Sequence, residues 1–428
     1  STDTSMQAVK PKFVGFAGKF FNLSPWTVEL VWDGGPAHQV PMSIVGPFQA
    51  HGMGTFPRHK FFFRKKHGKR GNAPTQSDKI VKRFVADPDF PLNFYDAVAD
   101  GHVDLEEFSS KERELYYGQL TNLDFTKKYK EFTGSEWLAM FPKARPTKKM
   151  WRADYFGQHH SIVTNETQFM SPPPSHLLSK ISYNYMKASD VLNERIRSLD
   201  AYRQTGLLTL NLTVLSCAPR VFEIKNFLSK YEASHLLEFT DGLAESSVAG
   251  GSHKMTKIRT SQNTWVTRTS SPIVDAVYRR AADLLRIDEA LLRSRGDDDR
   301  DLSNTIGTHA SVAEKLQLVH YENGQEYTAH HDFSYPNSDN DWQPARFATV
   351  LLYLNEGMEG GETSFPRWVN AETSARLDVV PEIGKAVLFY STLPDGNNDD
   401  LSQHAAQPVK RGEKWLTNLW VWDPVMNA

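Results

Sequence analysis

Cysteine is all but missing: Cys217 stands alone in 428 residues. No internal disulfide can close and no thiolate-rich metal site can form, so the chain must hold itself together by packing. Long apolar runs are missing too. No stretch approaches the roughly 20 apolar residues that cross a bilayer, and no membrane span is expected. Neither sign of charge is in excess: 49 Lys and Arg against 51 Asp and Glu leave a formal net charge of -2, which gives no global pull toward nucleic acid or anionic lipid. The one basic run, Arg64-Lys65-Lys66-His67-Gly68-Lys69-Arg70, reads as a solvated loop. There is no internal repeat of fixed period. The chain begins at Ser1 without a methionine, which accords with a removed leader. Three Asn-x-Ser/Thr sequons, at Asn22, Asn165 and Asn211, would be usable in a secretory compartment.

What is present is ordinary for a globular protein: 39% hydrophobic and 23% charged residues exclude a disordered chain. The length exceeds one hydrophobic core, so two or three domains are expected. From Lys12 to Phe63, aromatic and branched residues alternate with turn formers, as in Phe20-Phe21-Asn22-Leu23-Ser24-Pro25-Trp26 and Val28-Glu29-Leu30-Val31-Trp32 before Asp33-Gly34-Gly35-Pro36. That pattern predicts a small β-sandwich over residues 1–75. Charged, helix-compatible segments such as Ser109-Ser110-Lys111-Glu112-Arg113-Glu114-Leu115 follow, and the breaker Pro172-Pro173-Pro174 ends them, predicting a helical middle region over 76–175. Within it Asp96 to Glu107 has the outline of a calcium loop, with oxygens at positions 1, 5, 9 and 12 and Gly101 at 6, but Val98 replaces the third ligand. A helix-turn-helix relic is the alternative. Leu177, Leu178, Ile181, Tyr185, Met186, Val191, Leu192 and Ile196 recur at helical spacing and predict a long helix over Ser175 to Arg203 leading into the last domain. Beyond Leu207, strand-like runs at Leu316 to Tyr321, Ala348 to Leu354, Ala386 to Tyr390 and Trp415 to Trp422 suit an antiparallel double-sheet barrel over 176–428. The expected class is therefore α+β.

The chemistry concentrates in that last domain. Tyr321 to Phe333 contains His330-His331-Asp332, and Ser402-Gln403-His404 supplies a histidine well downstream. Two imidazoles and one carboxylate can occupy one face of an octahedral iron(II), leaving positions open for a bidentate oxoacid and dioxygen. On a strand, residues i and i+2 share a side, so His330 and Asp332 converge while His331 faces away. His-x-Asp alone would ordinarily be a solvated loop. Lys414, ten residues past His404, changes that reading, because a cation one strand beyond is placed to neutralise the far carboxylate of a bound dicarboxylic acid. The pair His159-His160 reads as surface.

Over about 210 residues from Ala218 to Pro424 these motifs resemble the prolyl 4-hydroxylase family. Pro219-Arg220-Val221-Phe222-Glu223-Ile224 looks like its opening strand and Ile258-Arg259-Thr260-Ser261 like its substrate loop. Then come Tyr-x-x-Gly-x-x-Tyr-x-x-His-x-Asp from Tyr321, Arg346 to Leu354, Gly360-Gly361-Glu362-Thr363-Ser364-Phe365-Pro366, and the terminal His404 to Trp415 block, in order. The resemblance implies a double-stranded β-helix (jelly-roll) with supporting helices. It also implies iron(II) on His330, Asp332 and His404, and 2-oxoglutarate held by Lys414 and Tyr321, with Thr363 a further candidate. Dioxygen would be the cosubstrate and ascorbate the rescuing reductant. Arg259, Ser261, Glu314, Tyr327, Arg346 and Trp420 match positions that serve peptide binding or its supporting shell. Equally, Tyr327 and Trp420 read as core aromatics and Arg346 as an ion-pair partner. Trp422 departs from the histidine common there in plant-type members. Lysine at 414, where oxygen-sensing hydroxylases carry arginine, points to the collagen and plant-wall branch.

The implied activity is 4-hydroxylation of proline in proline-rich proteins, driven by decarboxylation of 2-oxoglutarate to succinate. Hydroxylation of a regulatory protein or a small molecule, or a hydroxyproline-binding module on an inactive barrel, are the alternatives. The segment Lys12 to Phe63 resembles the β-domain of the von Hippel-Lindau tumour suppressor, through Asn22-Leu23-Ser24-Pro25, Trp32-Asp33-Gly34 and Gly54-Thr55-Phe56 leading into His59-Lys60-Phe61-Phe62-Phe63. That implies a place for a hydroxyproline peptide beside the barrel. The expected compartment is the endoplasmic reticulum lumen or secretory pathway, with the cytoplasm as alternative.

Overall fold

A computed structural model describes residues 15–35, 38–66, 79–139, 145–166, 168–171, 207–246, 259–293, 311–333, 345–370, 373 and 375–423. Seven strands open it: β1 (Phe16–Leu23), β2 (Val28–Asp33), β3 (Gln39–Val45), β4 (Ala50–Thr55), β5 (Lys60–Lys65), β6 (Ile80–Val85) and β7 (Leu92–Asp96). They form two sheets, β4-β1-β7 and β3-β2-β5-β6, which enclose Phe16, Phe20, Leu30, Phe61, Phe63, Phe84 and Tyr95. This is the expected sandwich, but it does not end at residue 75. β6 pairs with β5, and β7 runs parallel to β1, so its last strand closes at Asp96. The alternation expected of a half-exposed strand fails on β1, whose eight residues are all buried. Phe16 and Phe20 face the sandwich core, whereas Ala17 packs with Leu138 and Phe333 and Phe21 with Ala50. β1 is therefore covered on both faces.

The first half of the basic run is structural. Arg64 and Lys66 both pair with Glu29, and Lys65 Nζ lies 3.7 Å above the Trp26 ring; residues 67–70 lie outside the described residues. Asn22 is fully buried and its side-chain amide donates to the carbonyls of Trp26 and Gly46, each at 2.8 Å. That sequon is thus committed to holding a turn.

The calcium-like loop is committed in the same way. Asp96 Oδ1 accepts from the backbone of Val98 and Ala99, and both its oxygens face the Tyr116 hydroxyl. Asp100 pairs with Lys82 at 2.7 Å, and Asp104 and Glu107 form a capping box. The loop's carboxylates do not converge on one point, so it reads as a turn between strand and helix. The helix it leads into, α1 (Ser110–Thr133), begins on the Ser109–Glu112 capping box and ends on left-handed Gly134.

Among the described residues, the rest of 76–175 is less helical than expected. β8 (His159–Val163) pairs with β9 (Thr209–Cys217) and so belongs to the barrel. The long helix expected over Ser175 to Arg203 lies outside the described residues. Thereafter come β10 (Arg220–Ile224), α2 (Lys230–Leu236), β11 (Ala244–Glu245), β12 (Gln262–Val266), α3 (Pro272–Leu285), β13 (Leu316–Tyr321), β14 (Tyr327–His330), β15 (Ala345–Tyr353), β16 (Glu359–Gly360), β17 (Thr363–Phe365), β18 (Leu377–Val379), β19 (Ala386–Tyr390), β20 (His404–Ala406), β21 (Val409–Arg411) and β22 (Lys414–Asp423). One sheet of nine strands runs β11-β12-β13-β22-β15-β19-β10-β9-β8, and a four-stranded sheet runs β14-β20-β17-β18. These are the two sheets of the expected jelly-roll.

α3 lays Val274, Val277, Tyr278, Ala281 and Leu285 into the core on one side of the large sheet, where Trp151, Leu316, Leu318, Leu419 and Val421 meet it. On the other side Val319, Tyr321, Leu351, Tyr353, Phe389 and Leu416 line the interior between the sheets. β22 shows the division by its period of two: Lys414, Leu416, Asn418 and Trp420 share one face, and Trp415, Leu419 and Val421 the other.

Candidate metal and cosubstrate site

β14 and β20 lie antiparallel with His330 directly opposite His404, and Asp332 follows two residues beyond His330. One ligand atom from each of the three lies within 4.8 Å of the others, the one such group of three among the described residues. His330 Nδ1 donates to the Thr328 carbonyl at 2.8 Å and His404 Nδ1 to the Ser402 carbonyl at 3.1 Å. Because a carbonyl only accepts, each ring carries its proton on Nδ1 and turns the Nε2 lone pair inward. Those Nε2 atoms lie 3.8 and 3.6 Å from the oxygens of Asp332. Asp332 Oδ2 accepts from Thr349 Oγ1 at 2.7 Å and from Trp420 Nε1 at 2.9 Å, which fixes the carboxylate's rotation.

Burial sets the protonation states. It alone would raise the Asp332 carboxyl, but His404, His330 and Arg346 pull it well below the usual carboxylate range. Burial pushes His330 far down and lowers His404 likewise. An anionic carboxylate beside two neutral imidazoles is the donor set that iron(II) takes.

Lys414 stands directly opposite Tyr321 in the β13–β22 ladder. It is fully buried, its Nζ has no hydrogen-bond partner among the described residues, and burial pushes the ammonium down to about 7. Its Nζ lies 5.5 Å from the Tyr321 ring and 5.6 Å from that of Tyr353. Thr363 Oγ1 accepts from the Tyr353 hydroxyl at 2.7 Å, so its own proton remains to be given. A buried, unpaired cation is costly, and a dicarboxylic acid would satisfy it. The Gly360-Gly361 turn packs against the stem of Lys414. Both glycines have positive φ, and a Cβ on Gly361 would come 3.3 Å from Lys414 Cδ.

The six residues matched to peptide binding fall into two groups against the metal ligands. Tyr327 stacks on His330 with ring centroids 3.5 Å apart, and Arg259 lies over Tyr327 at 4.7 Å. Arg259 in turn donates to Ser261 Oγ at 3.1 Å. On the other side Arg346 forms an ion pair with Glu314 at 2.6 Å and covers the Trp420 ring at 4.0 Å. Trp422 fills the place of the missing histidine by donating its Nε1 to Glu314 at 2.8 Å. Trp420 thus orients a metal ligand directly. Thr349 does the same for Asp332, and Tyr353 orients Thr363; nothing in the local sequence marks them, though both fall in the Arg346 to Leu354 run. Trp265, 47% exposed, carries the aromatic wall outward from Trp420, 6.0 Å away. His160 and His159 bond to the Arg152 carbonyl and Thr213 respectively, and take no part.

A family model described as the 2OG-Fe(II) oxygenase superfamily matches residues 316–422. Among curated proteins, probable prolyl 4-hydroxylase 3 of Arabidopsis thaliana is 34% identical over 224 residues, 49% of this chain and 71% of that protein. Probable prolyl 4-hydroxylase 6 of the same plant is 32% identical over 226 residues, again 49% and 71%. The chain belongs to the prolyl 4-hydroxylase family. Among solved structures, viral collagen prolyl hydroxylase from Paramecium Bursaria Chlorella virus-1, in its 2OG complex, is 25% identical and covers 47% of this chain and 95% of that one, with a TM-score of 0.34. As a member of the family, this 2-oxoglutarate-dependent dioxygenase uses iron(II), 2-oxoglutarate and dioxygen, and the residues fit all of it: inward Nε2 lone pairs, an oriented carboxylate and an unpaired buried ammonium. The family model lies inside the barrel, so the von Hippel-Lindau likeness of the sandwich rests on Lys12 to Phe63 alone.

Proposed function

We propose that this prolyl 4-hydroxylase family member hydroxylates proline at C4 in a proline-rich protein chain. The observation that carries the reading is the buried Lys414, without a hydrogen-bond partner among the described residues, facing the same interior as the His330, Asp332 and His404 cluster. His330, Asp332 and His404 would hold the iron, and Lys414, with Tyr321 and Thr363, the far carboxylate of 2-oxoglutarate; together the bound groups supply the oxidising chemistry. The protein's own part is orientation and exclusion of water. Thr349 and Trp420 keep Asp332 turned inward, Tyr327 backs His330, and the apolar interior keeps competing water from the reacting carbon. The Trp265, Trp420 and Arg346 wall at the open side suits a proline ring, which offers an apolar face and no N–H.

Proline-rich peptides incubated with the protein, iron(II), 2-oxoglutarate and ascorbate, then read by mass spectrometry, test the proposal. A gain of one oxygen on proline, stoichiometric with succinate, is expected. Succinate formation that no peptide stimulates would move the substrate to another class.

A further inference from the structure

Four residues before His404, Asp400 gathers contacts from three distant parts of the chain. Its Oδ1 accepts from the Ala17 N–H of β1 at 2.7 Å. Its Oδ2 lies 2.7 Å from Arg367 Nη2, just past β17. His331 Nε2 donates to its backbone carbonyl at 3.0 Å, with Oδ1 3.3 Å away. His331 is the residue between two metal ligands, and its outward-facing side chain is almost wholly buried. The stretch bearing His330 and Asp332 is thereby tied to the turn that delivers His404.

The sandwich enters at the same place. β7 begins to pair with β1 only at Lys19, and the Ala17 N–H, two residues earlier, goes to Asp400. The Ala17 side chain meets Leu138 and Phe333, the latter adjacent to Asp332. Beyond α1, the backbone amides of Leu138 and Ala139 donate to Asn397 Oδ1 at 2.7 and 3.2 Å, and from within α1 Tyr129 donates to Asp395 at 2.6 Å. Both ligand-bearing segments therefore touch the segment just beyond α1, and both touch one short piece of β1. A buried strand N–H needs an acceptor, and here that acceptor is the carboxylate four residues before His404.

We propose that Asp400 is a positioning residue for the metal centre, and that the N-terminal sandwich, through Ala17, sets the spacing between the His330–Asp332 segment and His404. The sandwich is then part of the iron site's support. This rests on the assignment of those three residues as metal ligands. Groups that orient ligands typically change metal affinity by roughly 10- to 100-fold when lost, because the ligands must be held within about 0.5 Å of their working places.

Cobalt(II), which is not lost to oxidation, is the probe. Its affinity for the full chain is measured by absorption titration with 2-oxoglutarate present, alongside circular dichroism and thermal melting. Asp400→Ala is expected to weaken cobalt binding by about 10- to 100-fold and to alter the cobalt absorption bands. Asp400→Asn, which keeps an acceptor for the Ala17 N–H, should recover part of the loss. Ala17→Pro removes that N–H from the sandwich side and should weaken cobalt in the same direction while the chain stays folded. If Asp400→Ala does not fold, Asp400→Asn and Ala17→Pro decide. Wild-type affinity and bands in folded Ala17→Pro overturn the role of the sandwich, and wild-type behaviour in the Asp400 variants overturns that of Asp400. A wild-type chain that takes up no cobalt removes the metal assignment itself, and this proposal with it.

Discussion

Lys414 makes cosubstrate binding a proton-linked event. Its ammonium titrates near 7 in the fold, lowered by burial, against about 10.4 in an unfolded chain. The unfolded chain therefore holds more protons between those values, and stability rises with pH across that window. Below about pH 7 the charge is buried at full cost; above it the amine is neutral. A carboxylate arriving at Nζ restores the charge, so with metal already bound, 2-oxoglutarate binding at pH 8 is expected to take up close to one proton and at pH 6 almost none. Calorimetry in buffers of different ionisation enthalpy measures that uptake, and Lys414→Met should abolish it. Lys414→Ala should raise the 2-oxoglutarate requirement by the worth of a charge-assisted contact, about 1.5–3 kcal/mol or roughly 10- to 100-fold; an unchanged requirement would remove Lys414 as the anchor. His330→Ala, Asp332→Ala and His404→Ala should each abolish succinate formation, since two remaining ligands hold iron too weakly. Trp420→Phe keeps the ring but leaves Asp332 Oδ2 with Thr349 as its remaining donor, and is expected to weaken metal binding about tenfold in the same titration.

At the scale of elements, the glycine turn before β17 offers a controlled comparison. Gly361 has φ +75° and lies against Lys414, whereas Gly357 has φ +88° with nothing near its would-be Cβ. An alanine at either site pays about 1–2 kcal/mol of left-handed strain. Gly361→Ala should in addition raise KM for 2-oxoglutarate, and Gly357→Ala should leave it unchanged; equal KM values would mean the turn has no part in seating Lys414. The site was legible in the sequence where period-2 geometry acts over a few residues. His330 and Asp332 share a side with His331 turned away, whereas Lys414 comes two strands after His404 rather than one, with β21 between them. What stayed hidden depends on register between remote strands: Thr349 faces Trp420 across β15 and β22, and Asp400 meets Ala17 across 383 residues. That the sandwich extends past residue 75 is hidden for a related reason. β6 carries Lys82 and Arg83, and its exposed face reads like the charged segments that follow. β8 was lost among them as well, since five residues including two histidines and a serine give little strand signal until β9 supplies the partner.

The whole molecule divides differently from its sequence pattern, and that changes where it can be cut. A chain of residues 176–428 would seem to isolate the barrel, but it discards β8 and leaves β9 as a bare edge, an open template for association. It also discards Trp151, which is buried in the main core, donates its Nε1 to the Leu284 carbonyl at 2.8 Å and takes the Tyr390 hydroxyl on its backbone N–H at 3.0 Å. Losing a buried tryptophan side chain costs about 3–5 kcal/mol, a large share of the roughly 5–15 kcal/mol that holds a domain together. A chain beginning at residue 145 keeps Trp151 and β8 and gives up the sandwich and α1. It is expected to fold with a lower melting temperature, because Phe333 and the 395–400 turn lose the surface they pack against. The shorter chain should be largely insoluble or melt as a loosened state. Soluble yield and thermal melts of the two chains beside the full protein decide the matter. A 176–428 chain that melted as sharply and as high as the 145–428 chain would show that β8 and Trp151 are dispensable, and would return the domain boundary to the proline-rich break at 172–174.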